Sequence, residues 1–544
     1  MKSKRYDLKT KTLPMLLFFL CLFACDPNVY RSKSNNITDQ DGYYEPYDDV
    51  EEVTEDNEYM PIMEYELDVK EEKTISNHTE EYDRIYENEF LNPLQNPLST
   101  FSIDVDHASY TNVRRFLMNN QMPPKDAVRI EEMINYFDYK YPQPEGKHPF
   151  SINHEVVVCP WNSNNKLVHI GIQGKSIETK DLKPSNIVFL IDASGSMSYQ
   201  FPLVKKSLQI LLDELGAQDR VAIVAYAGAA GLVLPSTKAI HKEKILAALK
   251  NLEAGGSTAG GEGIKLAYDV AKENLIKEGN NRVVLVTDGD FNVGTSSTSE
   301  LVRLIEDKRK DDIYLTICGF GMGNYKDGRM EQITNAGNGN YFYIDHIKEA
   351  KKVFSTDMRA NMFTIAKDVK IQIEFNPKEV KAYRLIGYEN RKMAAEDFND
   401  DKKDAGELGA GHTVTALYEI IPENSDETIK SHDKLKYQKT KTTTASNGDE
   451  LMTVKFRYKK PNEDQSILIT KVISSQTQEF DLVSDNIKFS SAVAGFGMLL
   501  RDSKYKGDLT YDKVLSLAQA GKGKDHLGYR AELIDLIERT ELLK

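Results

Sequence analysis

Two apolar runs that each end on a carboxylate constrain this chain more than any other feature. Ile187, Val188, Phe189, Leu190 and Ile191 lead straight to Asp192, and Val283, Val284, Leu285 and Val286 lead through Thr287 to Asp288. Runs without polar alternation suit strands covered on both faces, as in a parallel sheet flanked by helices. An Asp at the carboxyl end of such a strand sits where open α/β sheets bind ligands. Ser194 and Ser196 follow Asp192, with Gly195 permitting a sharp turn between them. One carboxylate and two hydroxyls are half of the six oxygens that Mg2+ takes at about 2.0–2.1 Å. The other half is expected from later loops at the same edge. Gly255, Gly256 and Ser257 lead to the hydroxyl of Thr258 before a helical stretch, and Asp288 ends the second run. An Asp-x-Ser in a turn is commonly only a local cap. Two buried strands ending in Asp, with that hydroxyl loop between them, argue instead for a metal site.

Asp192, Ser194, Ser196, Thr258 and Asp288 together resemble the metal-ion-dependent adhesion site of von Willebrand factor type A domains: Asp-x-Ser-x-Ser, then a Thr, then an Asp. The resemblance implies that these five residues hold Mg2+, or Mn2+ or Ca2+ in its place, directly or through water. It also implies a protein partner whose acidic side chain completes the coordination. Met197 and Tyr199 follow Ser196, and Asp290, Phe291 and Asn292 follow Asp288, so these five are candidates for a partner-binding rim. Packing or turn chemistry is the competing role for each.

At 544 residues the chain is too long for one core. Its formal net charge of −14 argues against a nucleic-acid surface, which needs basic patches. Residues 1–25 are expected to be a signal peptide: Lys2, Lys4, Arg5, Lys9 and Lys11 precede an apolar stretch from Leu13 to Phe23. Leu22, Phe23, Ala24 and Cys25 resemble a bacterial lipobox, which implies a lipid on Cys25 and a membrane-anchored lipoprotein of the cell envelope. Phe23 is bulkier than the small residue usual there. Residues 26–98 are expected to be an acidic, disordered tether, since Asp39 to Glu58 holds ten Asp or Glu and no Lys or Arg. Only Cys159 and Cys318 lie outside the first 25 residues; a buried free thiol is the expectation for Cys318, with a disulfide between the two as the alternative.

An N-terminal domain is expected over 99–183, with helices at 107–119 and 125–138 and strands at 150–158 and 167–174. Its Ser102, Ile103, Asp104, Val105 and Asp106, and its Arg129 to Phe137, resemble the N-terminal domain of bacterial YfbK-like von Willebrand factor A proteins. The Asp104-x-Asp106 pair also fits a haloacid-dehalogenase phosphatase, but no downstream set of partners accompanies it, so a capped strand end is the reading kept. Strands alternating with helices over 184–360 predict an α/β fold: a doubly wound, mostly parallel, Rossmann-like sheet. Within it, helices are expected at 241–252, 261–277, 298–310 and 347–360, and a short strand around Leu232 to Leu234. Beyond 360 the period changes to two, with Val369, Ile371, Ile373 and Phe375, then Val414, Ala416, Tyr418 and Ile420, then Met452, Val454, Phe456 and Tyr458. Residues 361–544 are therefore β-rich to about 475 and helical after it, and Arg384 to Tyr388 with Asp404 to His412 resemble the C-terminal domain of the same family. Asp397, Asn399 and Asp401 imitate a calcium loop, but Lys402 stands where an EF-hand needs Gly. Because the first strand and last helix of a doubly wound domain bring the flanking chain together, the strands of 150–174 are expected to pair with those after 366. The metal domain is then an insert in, or flanked by, a β-rich domain.

These features point to a metal-dependent, non-enzymatic protein-binding module for adhesion or assembly on a bacterial envelope. A Mg-dependent phosphoester hydrolase and a structural envelope scaffold are the alternatives. Against an enzyme, there is no Gly-rich phosphate loop with Lys, no Gly-x-Ser-x-Gly around Ser194, and no His or Cys spaced to pair with a nucleophile.

Overall fold

The computed structural model describes residues 80–178, 183–227, 229–255, 260–289, 298–321, 326–357, 363–429 and 449–544. The first flank contributes β1 (Leu98–Ser102), α1 (Ala108–Met118), α2 (Ile130–Asn135), β2 (Phe150–Val158) and β3 (Lys166–Gly174). The α/β domain follows as β4 (Ser185–Asp192), α3 (Phe201–Glu214), β5 (Arg220–Ala227), β6 (Ala229–Lys238), α4 (Lys242–Asn251), α5 (Gly260–Glu273), β7 (Asn280–Thr287), α6 (Thr298–Arg309), β8 (Ile313–Gly319), α7 (Asp327–Ala336), β9 (Tyr341–Tyr343) and α8 (Ile347–Lys351). The second flank holds β10 (Thr364–Phe375), β11 (Val380–Ile386), β12 (Gly406–Gly409), β13 (Thr413–Pro422), β14 (Glu450–Lys459) and β15 (Ile467–Ser474). It ends in α9 (Asp485–Arg501), α10 (Tyr511–Ala520) and α11 (Tyr529–Leu542).

The α/β sheet has the order β6-β5-β4-β7-β8-β9 and is parallel except where β6 runs antiparallel along β5. Its central strand, β4, is buried throughout. Ile187, Phe189 and Ile191 enter one core with α3 and α4, while Val188 and Leu190 enter the other with α5. Removing each such side chain from water contributes about 1.5–3 kcal/mol, which is why this strand shows no polar alternation.

Strands from both flanks share two further sheets. β1 pairs with β10 in the sheet β1-β10-β14-β15, with β12 also on β10, and β3 pairs with β13 in the sheet β11-β13-β3-β2. Every second residue of β3 and β13, including Val168, Ile170, Ala416 and Tyr418, faces the first of these sheets. The opposite face, with Leu167, Ile386 and Leu417, packs on α2, α9, α10 and α11. The α/β domain is inserted between the flanks, as its topology predicts. Gly411 donates its N–H to Lys175 O at 3.0 Å and Ala410 donates to Phe363 O at 2.9 Å, so chain leaving and chain returning meet at one turn.

Four local expectations are corrected. The tether expected over 26–98 does not extend through its described part: from residue 80 the chain is packed on the fold, with Arg115 bonded to Glu80, Leu91 paired with Tyr383, and the buried Asn88 amide donating to the carbonyls of Leu385 and Gly387 at 3.1 and 2.7 Å. The helix expected over 125–138 is broken into a 3-10 turn at Lys125–Ala127 and the six residues of α2, with Arg129 extended between them. Arg129 N–H donates to Ser109 Oγ at 2.8 Å, and its guanidinium binds Glu132 and Asp327, which together hold it out of the helix. The short strand near Leu232 becomes the ten residues of β6 along an exposed sheet edge. The helix expected over 347–360 is α8 followed by a π-helical turn, Lys352–Asp357. A π turn aligns residues five apart, and here Lys352 Nζ lies 3.0 Å from both oxygens of Asp357.

Candidate metal centre

Asp192 ends β4 and is 0% exposed, and Asp288 follows β7, the adjacent parallel strand, at 8% exposure. Asp192 Oδ1 accepts the N–H of Ser194 at 2.8 Å, and Oδ2 accepts the hydroxyl of Tyr226 at 3.1 Å. Both carboxylate oxygens are thus oriented by the protein. The hydroxyls of Ser194 and Ser196 lie 3.0 Å apart. Burial pushes the Asp192 carboxyl above its usual range, Ser194 pulls it down, and the charge of Asp288 pushes it up again. Burial and Asp192 hold the Tyr226 phenol well above its ordinary value, so it remains a neutral donor.

The residue types fit a hard cation. Two carboxylates that raise each other's energy and two convergent hydroxyls form an all-oxygen donor set that divalent charge stabilises. Thr258 lies outside the described residues, but the chain just before it is seated at the site: Gly255 donates its N–H to Ala193 O at 2.7 Å. Asp290, Phe291 and Asn292 also lie outside the described residues, as does Cys25 with the whole of 1–79. Tyr199 is 94% exposed. Met197 is not a rim residue: it is 0% exposed and packs in the core of α3 and β4.

Tyr226 was not marked by any motif, although an aromatic hydroxyl at the end of the strand beside β4 is a readable signal. Gly321 was also missed; at φ +93, a Cβ there would sit 3.4 Å from Asp288 Cβ. A cavity of about 330 Å³ opens beside it, lined in part by Gln200, His346, Arg114, Arg115 and Met118. Helix α1 of the first flank therefore reaches the metal edge of the inserted domain.

The other motifs resolve into ion pairs. Asp104 and Asp106 each receive a guanidinium N–H of Arg391 at 3.0 Å. At the imitation calcium loop, the Lys370 ammonium donates to the carbonyls of Asp397 and Asp400 at 3.1 and 2.5 Å, and a lysine fills the place of an ion. Cys159 and Cys318 are both buried free thiols in separate cores. Among the described residues, no helix is long and apolar enough to cross a membrane.

The sequence profile for the von Willebrand factor type A domain matches residues 186–356, that for "Uncharacterized protein YfbK, C-terminal" matches 360–543, and one described as "von Willebrand factor" matches 76–169. The chain is 42% identical to the uncharacterized protein YfbK of Escherichia coli over 473 residues, 85% of this chain and 81% of that one. An uncharacterized protein of Synechocystis is 28% identical over 198 residues, 35% of this chain and 45% of its own. A solved von Willebrand factor type A protein from Catenulispora acidiphila aligns over 73% of this chain and 90% of its own, with 17% identity and a TM-score of 0.40. Domains of this type are typically protein-interaction modules and commonly bind divalent metal ions. The extent of the E. coli match, together with the two profiles that meet near residue 360, makes this chain a member of the YfbK-like family of von Willebrand factor type A proteins.

Proposed function

We propose that the chain is a non-enzymatic binding protein that captures a protein partner through a divalent cation at the Asp192 edge. One observation carries the proposal: a fully buried carboxylate at the end of the central strand has both oxygens oriented, beside two hydroxyls 3.0 Å apart. A cation bound there supplies electrostatic attraction for a carboxylate oxygen of the partner. Asp192 and Asp288 balance the two charges of the ion, and Ser194 and Ser196 provide neutral oxygens that add no further negative charge, so the ion still draws a partner's carboxylate. Tyr226 and the Ser194 N–H fix Asp192, so little ordering is needed when the ion arrives. Exposed Tyr199 gives a partner an aromatic contact beside the ion. The basic and apolar pattern of residues 2–25 supports a lipid on Cys25 and display on the cell envelope.

The test is affinity capture from detergent-solubilised envelope with Mg2+ and with EDTA, for the natural chain and for Asp192→Ala. A partner retained with Mg2+ and lost with EDTA and in the variant supports the proposal. Equal capture in all arms, or Mg-dependent turnover of a phosphoester by the natural chain alone, overturns it. For the anchor, a palmitate analogue should label the chain, and label that persists in Cys25→Ala would sink that part.

A further inference from the structure

The cavity of about 330 Å³ beside the metal edge is built by two parts of the molecule. Gln200, Gly321, Tyr343 and His346 come from the inserted domain, whereas Arg115 and Met118 come from α1 of the first flank. The insert by itself would leave this side of the edge open, and the flank closes it into a pocket. Gly321 stands between pocket and edge. A Cβ built on it would lie 3.4 Å from Asp288 Cβ and 3.4 Å from Gln200 Cγ, so a residue without a side chain keeps the way from the cation to the cavity clear. Its φ of +93 is one that glycine adopts without strain. The Tyr343 hydroxyl donates to the Gly321 carbonyl, which ties this turn to the cavity floor.

The walls define what enters. Tyr343 and Ile344 give an apolar floor, both sealed from solvent except where they meet the cavity. The Arg115 guanidinium lies 5.5 Å from the centre of the Tyr343 ring and is bonded to Glu80 and Asn112, so it is a fixed wall with its charge already matched. Arg114 and Asp345 are matched to each other in the same way. A charged side chain therefore gains little in this pocket, and a neutral apolar one gains by leaving water. Met118 ends α1 at the mouth and is 46% exposed. A methionine there adapts to aliphatic and aromatic groups alike, and its sulfur favours a ring by about 0.3–1.5 kcal/mol. Half-buried Gln200 and the part-exposed ring of His346 add a polar rim. Pockets for whole small molecules run from about 300 to 1,000 Å³, so this one, at the low end, suits a single large side chain.

We infer that the pocket between α1 and the Gly321 turn is the specificity subsite of the metal edge, taking an aromatic or large aliphatic side chain that stands close in sequence to the partner carboxylate on the ion. The inference rests on the metal-dependent capture proposed above and adds which acidic segments are captured. The occupant follows from continuity: the cation draws a carboxylate, and an extended chain advances only about 3.3–3.6 Å per residue, so a near neighbour of that acid reaches the cavity past Gly321. The flank, through Met118, then takes part in a choice that the metal residues alone cannot make.

Selection from a phage-displayed library of random peptides on the full chain, with Mg2+ and with EDTA, tests it. Peptides held with Mg2+ and lost with EDTA are expected to carry an Asp or Glu with Phe, Tyr, Trp, Leu or Met within about three positions of it. The same selection on Met118→Ser is expected to retain the acidic residue and the Mg2+ requirement and to lose the apolar neighbour. A peptide from the first selection should bind Met118→Ser at least about fivefold more weakly in fluorescence anisotropy. Asn119→Trp, which fills the mouth from the flank side, is a second variant expected to act in the same direction. Both positions are exposed at the end of α1, and thermal melts of the variants check that the fold is kept. Acidic peptides selected without an apolar neighbour, or an apolar preference that survives in both variants, overturn the subsite and leave the metal reading standing. No Mg-dependent peptide at all overturns the metal reading, and the subsite with it.

Discussion

Met197 and Tyr199 stand two residues apart and meet opposite surroundings, one sealed in the core under the metal loop and the other 94% exposed. Met197→Ala is expected to cost about 2–4 kcal/mol in urea unfolding, the range for emptying a core methionine. Tyr199→Ala is expected to change stability by less than about 0.5 kcal/mol while reducing Mg-dependent capture. If both variants shifted the unfolding midpoint equally, the assignment of Met197 to the core would be wrong. A pH dependence also belongs to single residues. His412 is brought down to about 4 by burial first, then by His107 and Lys352, against an opposing pull from Asp357. Its folded value lies below the ordinary 6.5, so its contribution is fully present above about pH 6.5 and is lost as pH falls toward 4. Relative to His412→Gln, the natural chain should therefore lose about 3 kcal/mol over that window, a figure set by the size of the shift. Thermal melts of the two proteins at pH 7 and pH 4.5 measure it, and parallel pH profiles would contradict the burial of a neutral imidazole.

At the level of elements, legibility followed burial. β4 and β7 were readable because a strand enclosed on both faces must be apolar at every position, and β10, β13 and β14 because one set of alternating side chains fills a single core. The ends of α2 and of α8 were not readable. Both are set by charges that pair across the fold or along a π turn, Arg129 with Asp327 and Lys352 with Asp357, and no local propensity encodes such partners. The metal residues were legible as a spacing, whereas the Tyr226 hydroxyl on Asp192 depends on strand order, which spacing does not contain. Gly171 in β3 is a similar case. A Cβ there would lie 2.3 Å from the ring of Tyr141, whose hydroxyl is tied to His169 at 3.0 Å and to Thr415 of β13 at 2.7 Å. The ring is thus pinned across the pairing of β3 with β13. Gly171→Ala should destabilise the chain by about 1–3 kcal/mol through overpacking. Hydrogen exchange should show faster opening in β3 and β13 together; exchange altered in neither strand would remove the ring from this role.

Across the whole molecule, insertion alone would leave the α/β domain joined to its flanks at one turn, and buried guanidiniums add further ties: Arg129 to Asp327, Arg391 to Glu331, and Arg114 to the most distant partners. Arg114 of α1 is 1% exposed and donates to Asp345 at 2.6 and 2.9 Å, to Glu349 at 2.8 Å and to Glu532 at 2.8 Å. These partners stand 231, 235 and 418 residues away, two at the end of the inserted domain and one on α11. One side chain therefore couples the first flank, the insert and the C-terminal helices. Burial alone would raise the Asp345 carboxyl, but Arg114 and His346 bring it down to about 2. Its contribution is thus fully present above about pH 4 and lost as pH falls toward 2. Arg114→Met keeps an aliphatic stem against Tyr110 and Tyr136 but leaves the three carboxylates without their shared cation. Breaking one side of a buried ion network typically costs about 3–5 kcal/mol. Because the loss falls on the joint and not on the cores of the parts, calorimetry should show the insert melting apart from the flanks in Arg114→Met, whereas the natural chain is expected to melt in one transition. Limited proteolysis of the variant should then release the α/β domain. A variant that still melts as one unit, within about 0.5 kcal/mol of the natural chain, would mean that the turn at Ala410 and Gly411 and the pairs of Arg129 with Asp327 and Arg391 with Glu331 suffice to hold the insert to its flanks.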